Sequence, residues 1–475
     1  MKKIEQKKII STIIFSILNT ILMLLIINNN PSISFTTYMS SIQLVFALVV
    51  LKINKNGFFS LITIFLVLSY LFHFGQAIII AYGFNDIYAH RSILAATSFE
   101  SFLRAMYFAM FSHFFITIGM MWNKKNGKPI FKIDDNENQM LYRLRFIAFI
   151  VLFITIIPLI YLDGLKIVAV KSGGYVSTYE TYTSGINKIL NLFAQFARPA
   201  ITLLLISYKN DKRKANLVFV LSSLYFVFMM ISGDRGTNVI YLLTNLFVFY
   251  KIIKRLKTKN VLIVAVIGYF FIGFISTISI LRDTSQISIQ GLIHYYKYRS
   301  SDGIIYSVLR EFGLTIKTLI YSIDFTSASS NYNFGLTYIF SWMNLSPKLP
   351  ESIVNSFYTH FTFVKSFPVA YQESLGGSYL GELFYNFGWF GSVLSFFVGR
   401  FIGNIDNSIE KSIENKNWVI FSLIMILFPN LLLWVRGYFV ELIFKIFWLG
   451  AFVVLVYFGM KRKRNESNGI SNDSN

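Results

Sequence analysis

The sequence predicts an all-helical, polytopic membrane protein of about twelve transmembrane helices with one large outer loop near its C-terminal third. Three observations lead there. Apolar stretches recur at membrane-crossing length, basic residues cluster between alternate stretches, and residues 282–375 interrupt the pattern. The composition agrees: of 475 residues, 55% are hydrophobic and only 14% charged, too apolar for the surface of a soluble domain of this size. The 50 Phe and 28 Tyr suit rings that face lipid or sit at headgroup level. Cysteine is absent, which excludes disulfides and thiolate metal sites.

The elements follow in order. Lys2, Lys3, Lys7 and Lys8 open the chain as they would a signal peptide, but the apolar run continues to Ile27 and ends in Asn28-Asn29-Asn30 without a small-residue cleavage site. An uncleaved first span over residues 9–28 is therefore expected. Further spans are expected at 37–53, 58–82, 101–122, 146–162, 188–208, 216–232, 237–253, 260–281, 377–402, 417–434 and 438–460. The stretch 188–208 is the least regular, since it holds Arg198 beside Pro199. The pair 216–232 and 237–253 is joined by a very short turn.

Sidedness follows from the cations. With the N-terminus inside, the inner segments carry Lys124, Lys125, Lys128 and Lys132, then Lys209, Lys212, Arg213 and Lys214. They also carry Lys251, Lys254, Arg255 and Lys257, and finally Lys461 to Arg464. This positive-inside pattern places both termini in the cytoplasm. It also explains the net charge of +21 as a topology signal, so no nucleic-acid partner is expected. Residues 1–460 read as a single integral membrane domain, and 461–475 as a disordered cytoplasmic tail.

The outer segment 282–375 contains Pro347, Pro350 and Pro368 but is rich in Tyr, Phe, Ile and Leu, so order is expected there. Within it, 302–321 reads as an amphipathic helix, with Ile305, Val308, Leu309, Phe312, Ile316, Leu319 and Ile320 on one stripe. Tyr306, Arg310 and Lys317 share an adjacent face. Such a helix could lie on the membrane surface and offer its cations to anionic headgroups, or serve as a short core helix of the loop.

Several chemistries are unsupported. There is no Walker loop and no Asp-x-Asp pair, and the five His, at 73, 90, 113, 294 and 360, lack metal-ligand spacing. No metal or cofactor is expected. What remains is a set of arginines on the expected outer side or within spans: Arg198, Arg235, Arg282, Arg299, Arg310 and Arg436. Arginine suits multidentate contact with phosphate oxygens, although Arg235 could equally snorkel to headgroups and Arg198 could form an internal ion pair. The second cluster is the run from Glu373 through Gly376-Gly377-Ser378-Tyr379-Leu380-Gly381-Glu382 to Asn386, where the outer segment re-enters the membrane. On a helix Ser378, Glu382 and Asn386 share a face. A buried Glu382 could act as a general base, and the same residues could instead tie packed helices together. His360 is a further candidate base.

At these residues the chain resembles the Wzy-type polymerases of O-antigen and capsular repeat units. The resemblance rests on Ser232-Gly233-Asp234-Arg235-Gly236, Glu311-Phe312-Gly313, and Phe334-Gly335-Leu336-Thr337-Tyr338 leading to Pro347 and Pro350. It continues with Gly376 to Glu382 and with Asn386-Phe387-Gly388 and Gly391, so that it covers roughly residues 230–400. It implies a GT-C-like helical membrane fold in the bacterial inner membrane. It implies a glycosyltransferase that joins undecaprenyl-diphosphate-linked oligosaccharides on the outer face, in O-antigen (lipopolysaccharide) or capsule synthesis, without an obligatory metal. A chain-length regulator is a candidate partner beside membrane lipids. For that chemistry Arg235, Arg310, Arg198 and Arg299 are candidates for binding diphosphate, with Lys317, Tyr338, Ser378 and Asn386 lining the substrate site. Glu382, Glu373 and His360 are the candidate bases. The competing readings are an O-antigen ligase, which shares a long outer loop, and a lipid-linked oligosaccharide flippase or other transporter. The size of the outer segment and the lack of two related halves argue against transport.

Overall fold

The computed structural model describes residues 2–28, 32–53, 59–82, 97–122, 136–173, 185–230, 235–254, 312–329, 332–343, 363–368 and 375–444, with isolated residues near 290, 306–310, 345 and 446–458. Among them there are helices and no strands. Eight helices are long and apolar enough to cross a membrane, and they correspond one to one with the first eight expected spans. They begin with α1 (Lys2–Asn28), α2 (Ile33–Ile53), α3 (Leu61–Ala81), α4 (Phe99–Met121) and α5 (Glu137–Gly173). Next come α6 (Gly185–Ala194) and α7 (Ala197–Ser207), then α8 (Lys212–Met230) and α9 (Arg235–Val248). Among the described residues the count is eight, so twelve is not confirmed, and the stretch 260–281 lies outside the described residues.

Two departures from the sequence reading have local causes. The stretch 188–208 is two helices with a turn at Gln195–Phe196. Pro199 has no N–H to bond the carbonyl of Gln195, and its ring would clash there, so the helix restarts at Ala197. Likewise 377–402 is not one span. It divides into a short α12 (Tyr379–Phe387) and α13 (Phe390–Glu414), because Gly388 adopts φ +57° and ψ −143°, a conformation no helix contains. After it α14 (Trp418–Trp434) is strongly apolar but only 17 residues long.

The expected amphipathic helix 302–321 also changes. A turn at Gly313–Leu314 precedes α10 (Thr315–Ser329), which runs well past residue 321. Ile316, Leu319, Ile320, Tyr321 and Ile323 are buried, and α10 packs on α3, α4 and α12. The described part of the apolar stripe therefore faces protein, as the core-helix alternative has it, and Ile305 and Val308 lie outside the described residues. A second helix of this segment, α11 (Leu336–Met343), packs on α12.

The chain forms two compact units. The first holds residues 1–128, 308–408 and 430–444. Its N-terminal helices are tied by Gln43, whose Nε2 donates to Asn19 Oδ1 at 2.6 Å and to the Met110 carbonyl at 3.0 Å. The start of α3 is capped twice, by Ser60 Oγ on the Thr63 N–H and by the buried Asp406, which accepts the Leu61 N–H at 2.9 Å. The second unit holds residues 129–307, 409–429 and 445–475. Its centre is apolar: Met140, Ile147, Ala148 and Val151 of α5 pack with Ala200, Leu203, Val419 and Ile426. On both units apolar side chains at helical spacing point outward, such as Ile13, Ile17 and Ile21 on α1 and Phe153 and Ile157 on α5. That arrangement suits helices solvated by lipid rather than water.

Candidate functional site

The polar residues of the first unit gather around α12. Its N-cap is Ser378, whose Oγ accepts the Gly381 N–H at 3.1 Å. The capping residue stands outside the helix, so Ser378 does not share the helical face of Glu382 and Asn386. Those two do share it, since Asn386 Nδ2 donates to the Glu382 carbonyl at 2.8 Å.

Glu382 is fully buried, and both carboxylate oxygens are engaged. Oε1 accepts from Thr337 Oγ1 at 2.7 Å, and Oε2 accepts the Phe439 N–H at 3.0 Å. Asn386, also fully buried, donates to Thr337 Oγ1 at 2.8 Å and accepts the Gly335 N–H at 3.0 Å. A carboxylate removed from water is strongly unfavourable without such partners. Here one carboxylate and one amide join α11, α12 and the segment after α14. Tyr338 completes this side: its ring stacks on Phe387 at 6.3 Å and 10° and meets Phe439 edge-on at 5.1 Å.

A second network approaches α12 from α3 and α4. His73 Nδ1 lies 2.8 Å from the Ser69 carbonyl, and His73 Nε2 lies 3.0 Å from Ser378 Oγ. Ser69 Oγ lies 2.7 Å from both His113 Nε2 and the Tyr379 hydroxyl. Ser69, His73 and Tyr379 are fully buried and His113 nearly so. The loop into α12 is packed against the segment after α14 so closely that a Cβ on Gly377 would fall 2.4 Å from the Gly437 carbonyl carbon.

Three cations lie on neighbouring segments of the same unit. The Arg310 carbonyl accepts from Gln76 Nε2 at 2.6 Å, near the end of α3. Arg436 is exposed, with its guanidinium 5.8 Å from the centre of the Phe72 ring, and that ring meets Phe312 at 5.1 Å. Lys317, half-buried, lies 5.4 Å from the Tyr321 ring, and its neighbour Thr318 donates to the Gly376 carbonyl at 2.9 Å. The backbone of Arg436 lies against Gly376, Lys317 adjoins the residue that bonds Gly376, and Arg310 is placed by its carbonyl beside α3.

The structure therefore brings together Glu382, Asn386, Ser378 and Tyr338, with Arg310 and Lys317 in the same unit. It does not bring all the candidate arginines into this unit. Arg198, buried in α7, and Arg235, the first residue of α9, belong to the second unit. Arg299, His360 and Glu373 lie outside the described residues. Sequence reasoning missed Thr337, Ser69, His73 and His113 as members of the site, and had Arg436 only as one of the outer cations. One signal was available: His73 and His113 are ionisable groups inside apolar spans, positions that are seldom left to chance in a membrane.

The sequence profile of the O-antigen polysaccharide polymerase Wzy family matches residues 8–465. The chain belongs to this family. The match extends the resemblance from roughly residues 230–400 to nearly the whole sequence, so the N-terminal helices that carry Ser69, His73 and His113 are part of the family's extent. No curated protein and no solved structure gives a significant match. Family and helices together make this a multi-pass membrane protein of polysaccharide biosynthesis, with the polymerase role of a glycosyltransferase.

Proposed function

We propose that this member of the Wzy family extends a polysaccharide by joining two lipid-linked oligosaccharide repeat units on the outer face of the bacterial inner membrane. The carrier is undecaprenyl diphosphate, and both termini of the enzyme are cytoplasmic. In each cycle the bond between the donor sugar's anomeric carbon and the carrier diphosphate breaks, and a bond from that carbon to an acceptor hydroxyl forms. The diphosphate leaves with the bonding electron pair, and the hydroxyl proton passes to a base.

Two needs follow, cations for the diphosphate and a base for the hydroxyl. The fully buried Glu382 carboxylate, held by Thr337 and the Phe439 N–H at the start of α12, is the observation that carries the reading, and Arg310, Lys317 and Arg436 of the same unit are the proposed cations. Arg198, Arg235 and Arg299 are proposed as further phosphate ligands from the rest of the chain. Tyr338, Ser378 and Asn386 shape the acceptor side. Glu382 is the proposed base and serves once the Thr337 hydroxyl gives way to the acceptor hydroxyl. Glu373 and His360 are the other carriers of that role.

Deletion of the gene in its native host, with surface glycans resolved on a gel, tests the function. Collapse of the ladder to a band with a single repeat is expected, since export and ligation continue. Loss of even that band would point to a flippase or ligase, and an unchanged ladder would remove the protein from this pathway.

A further inference from the structure

The two histidines of the N-terminal half have no part in the chemistry just described, yet they reach the helix that carries Glu382. His73 lies one helical turn beyond Ser69 on α3, and its Nδ1–H donates to the Ser69 carbonyl. Its Nε2 is then an acceptor, and the Ser378 hydroxyl donates to it at 3.0 Å. Ser378 Oγ in turn accepts the Gly381 N–H and so fixes the first turn of α12. A parallel chain runs alongside. The Tyr379 hydroxyl donates to Ser69 Oγ, and the Ser69 hydroxyl donates to His113 Nε2, each at 2.7 Å. Every hydroxyl has one proton and one use for it, so the directions are mutually consistent.

The packing leaves this segment little freedom in any other direction. The Tyr379 ring meets Phe65 at 5.7 Å, His73 at 5.8 Å and Trp434 at 5.5 Å. A methyl group on Gly381 would come within 3.1 Å of Ser322 Oγ. The polar bonds at Ser378 and Tyr379 thus fix the first turn of α12, while Thr337 and the Phe439 N–H hold Glu382 one turn later. A shift of that first turn is therefore passed to the carboxylate.

The geometry points to His73 and His113 as positioning residues of the polymerisation reaction, acting through Ser378 and Tyr379 to set the direction in which Glu382 faces. The inference rests on the function proposed above. Neither histidine touches the reacting atoms. An error of about 1 Å in a reacting group costs on the order of a hundredfold in rate, so the loss of a directional bond here falls on turnover rather than on substrate affinity.

The experiment uses the full-length chain in the deletion strain and, after extraction, with the lipid-linked repeat units extracted from that strain as substrate. H73F keeps a ring and removes both polar atoms, whereas H73Q keeps an acceptor near the position of Nε2. For H73F, kcat per folded enzyme is expected to fall tenfold or more with KM unchanged, and the ladder to shorten. H73Q restores most of that loss, S378A, which also alters the acceptor side, lowers kcat at least as far as H73F, and H73F/S378A is no worse than S378A alone. Wild-type kcat in folded H73F, or additive losses in the double variant, would overturn the proposal while the polymerase function stood. If H73F does not fold, S378A and H73Q decide by the same kcat readout. Failure of the wild-type chain itself to restore a ladder would instead bring down the function and this inference with it.

Discussion

The polar interiors of the two units are built differently. In the second unit, Thr202, Ser222 and Asn245 link α7, α8 and α9 through bonds of 2.8 and 3.2 Å, and Tyr225 donates to Asp163 at 2.6 Å. These are neighbours in the chain's own order, and they accompany an apolar core. In the first unit, Glu382, Asn386 and Ser378 draw in Thr337, Phe439 and His73 from three separate regions, and a carboxylate is included. A helix pair that only needs cohesion in lipid can use small and apolar residues. Each unit also buries a carboxylate, Asp163 in the second and Glu382 in the first, at a desolvation penalty that cohesion alone does not require. The difference is one of reach: the network around α12 gathers residues far apart in the chain, the arrangement that the proposed function calls for.

The comparison can be broken most directly at Glu382. Glu382→Gln keeps an acceptor for the Thr337 hydroxyl but cannot take a proton. Polymer formation in the complemented deletion strain is expected to fall by about a hundredfold or more, well beyond what the lost Phe439 N–H bond, about 1–3 kcal/mol read as a lower unfolding midpoint in detergent, accounts for. A retained ladder would reduce Glu382 to a tie and pass the base to Glu373 or His360. Next comes Asn386→Ala, which leaves the Gly335 N–H and the Thr337 hydroxyl each short of a partner. A loss of about 1–3 kcal/mol is expected, read as a lower unfolding midpoint together with a weaker ladder.

Gly377→Ala sharpens the same contrast by steric means. Its methyl group would press on the Gly437 backbone 2.4 Å away, so the loop into α12 must shift, at about 1–3 kcal/mol. Chain length should shorten, since the shift acts at Ser378. The smallest effect is expected in the second unit. Asn245→Ala removes two neutral hydrogen bonds and costs about 1 kcal/mol in stability, with the ladder retained. A lost ladder there would show that the second unit is as exacting as the first.

Much of the fold was legible because a bilayer imposes simple rules. Length and apolarity marked the first eight spans, and Pro199 and Gly388 account for the two breaks that the apolar pattern alone did not reveal. For the helix at 302–321 the sequence left membrane surface and protein core both open, since an apolar face looks the same whether it meets lipid or protein. In the candidate site, the pairing of Glu382 with Asn386 was legible from a spacing of four. Ser378 was misplaced by one helix boundary, because capping depends on where the chain turns.

By itself the sequence determined the class, the succession of spans and the run of residues from Gly376 to Asn386 as the place to look. Helical periodicity and transfer to lipid are local properties, readable within a window of some twenty residues. The partners of that run were decided by the tertiary structure alone. Thr337 stands 45 residues from Glu382, Phe439 stands 57 away, and His73 stands 305 from Ser378. Contacts across such distances depend on the path of every intervening helix and on the direction of each side chain, and a periodic pattern carries no record of either.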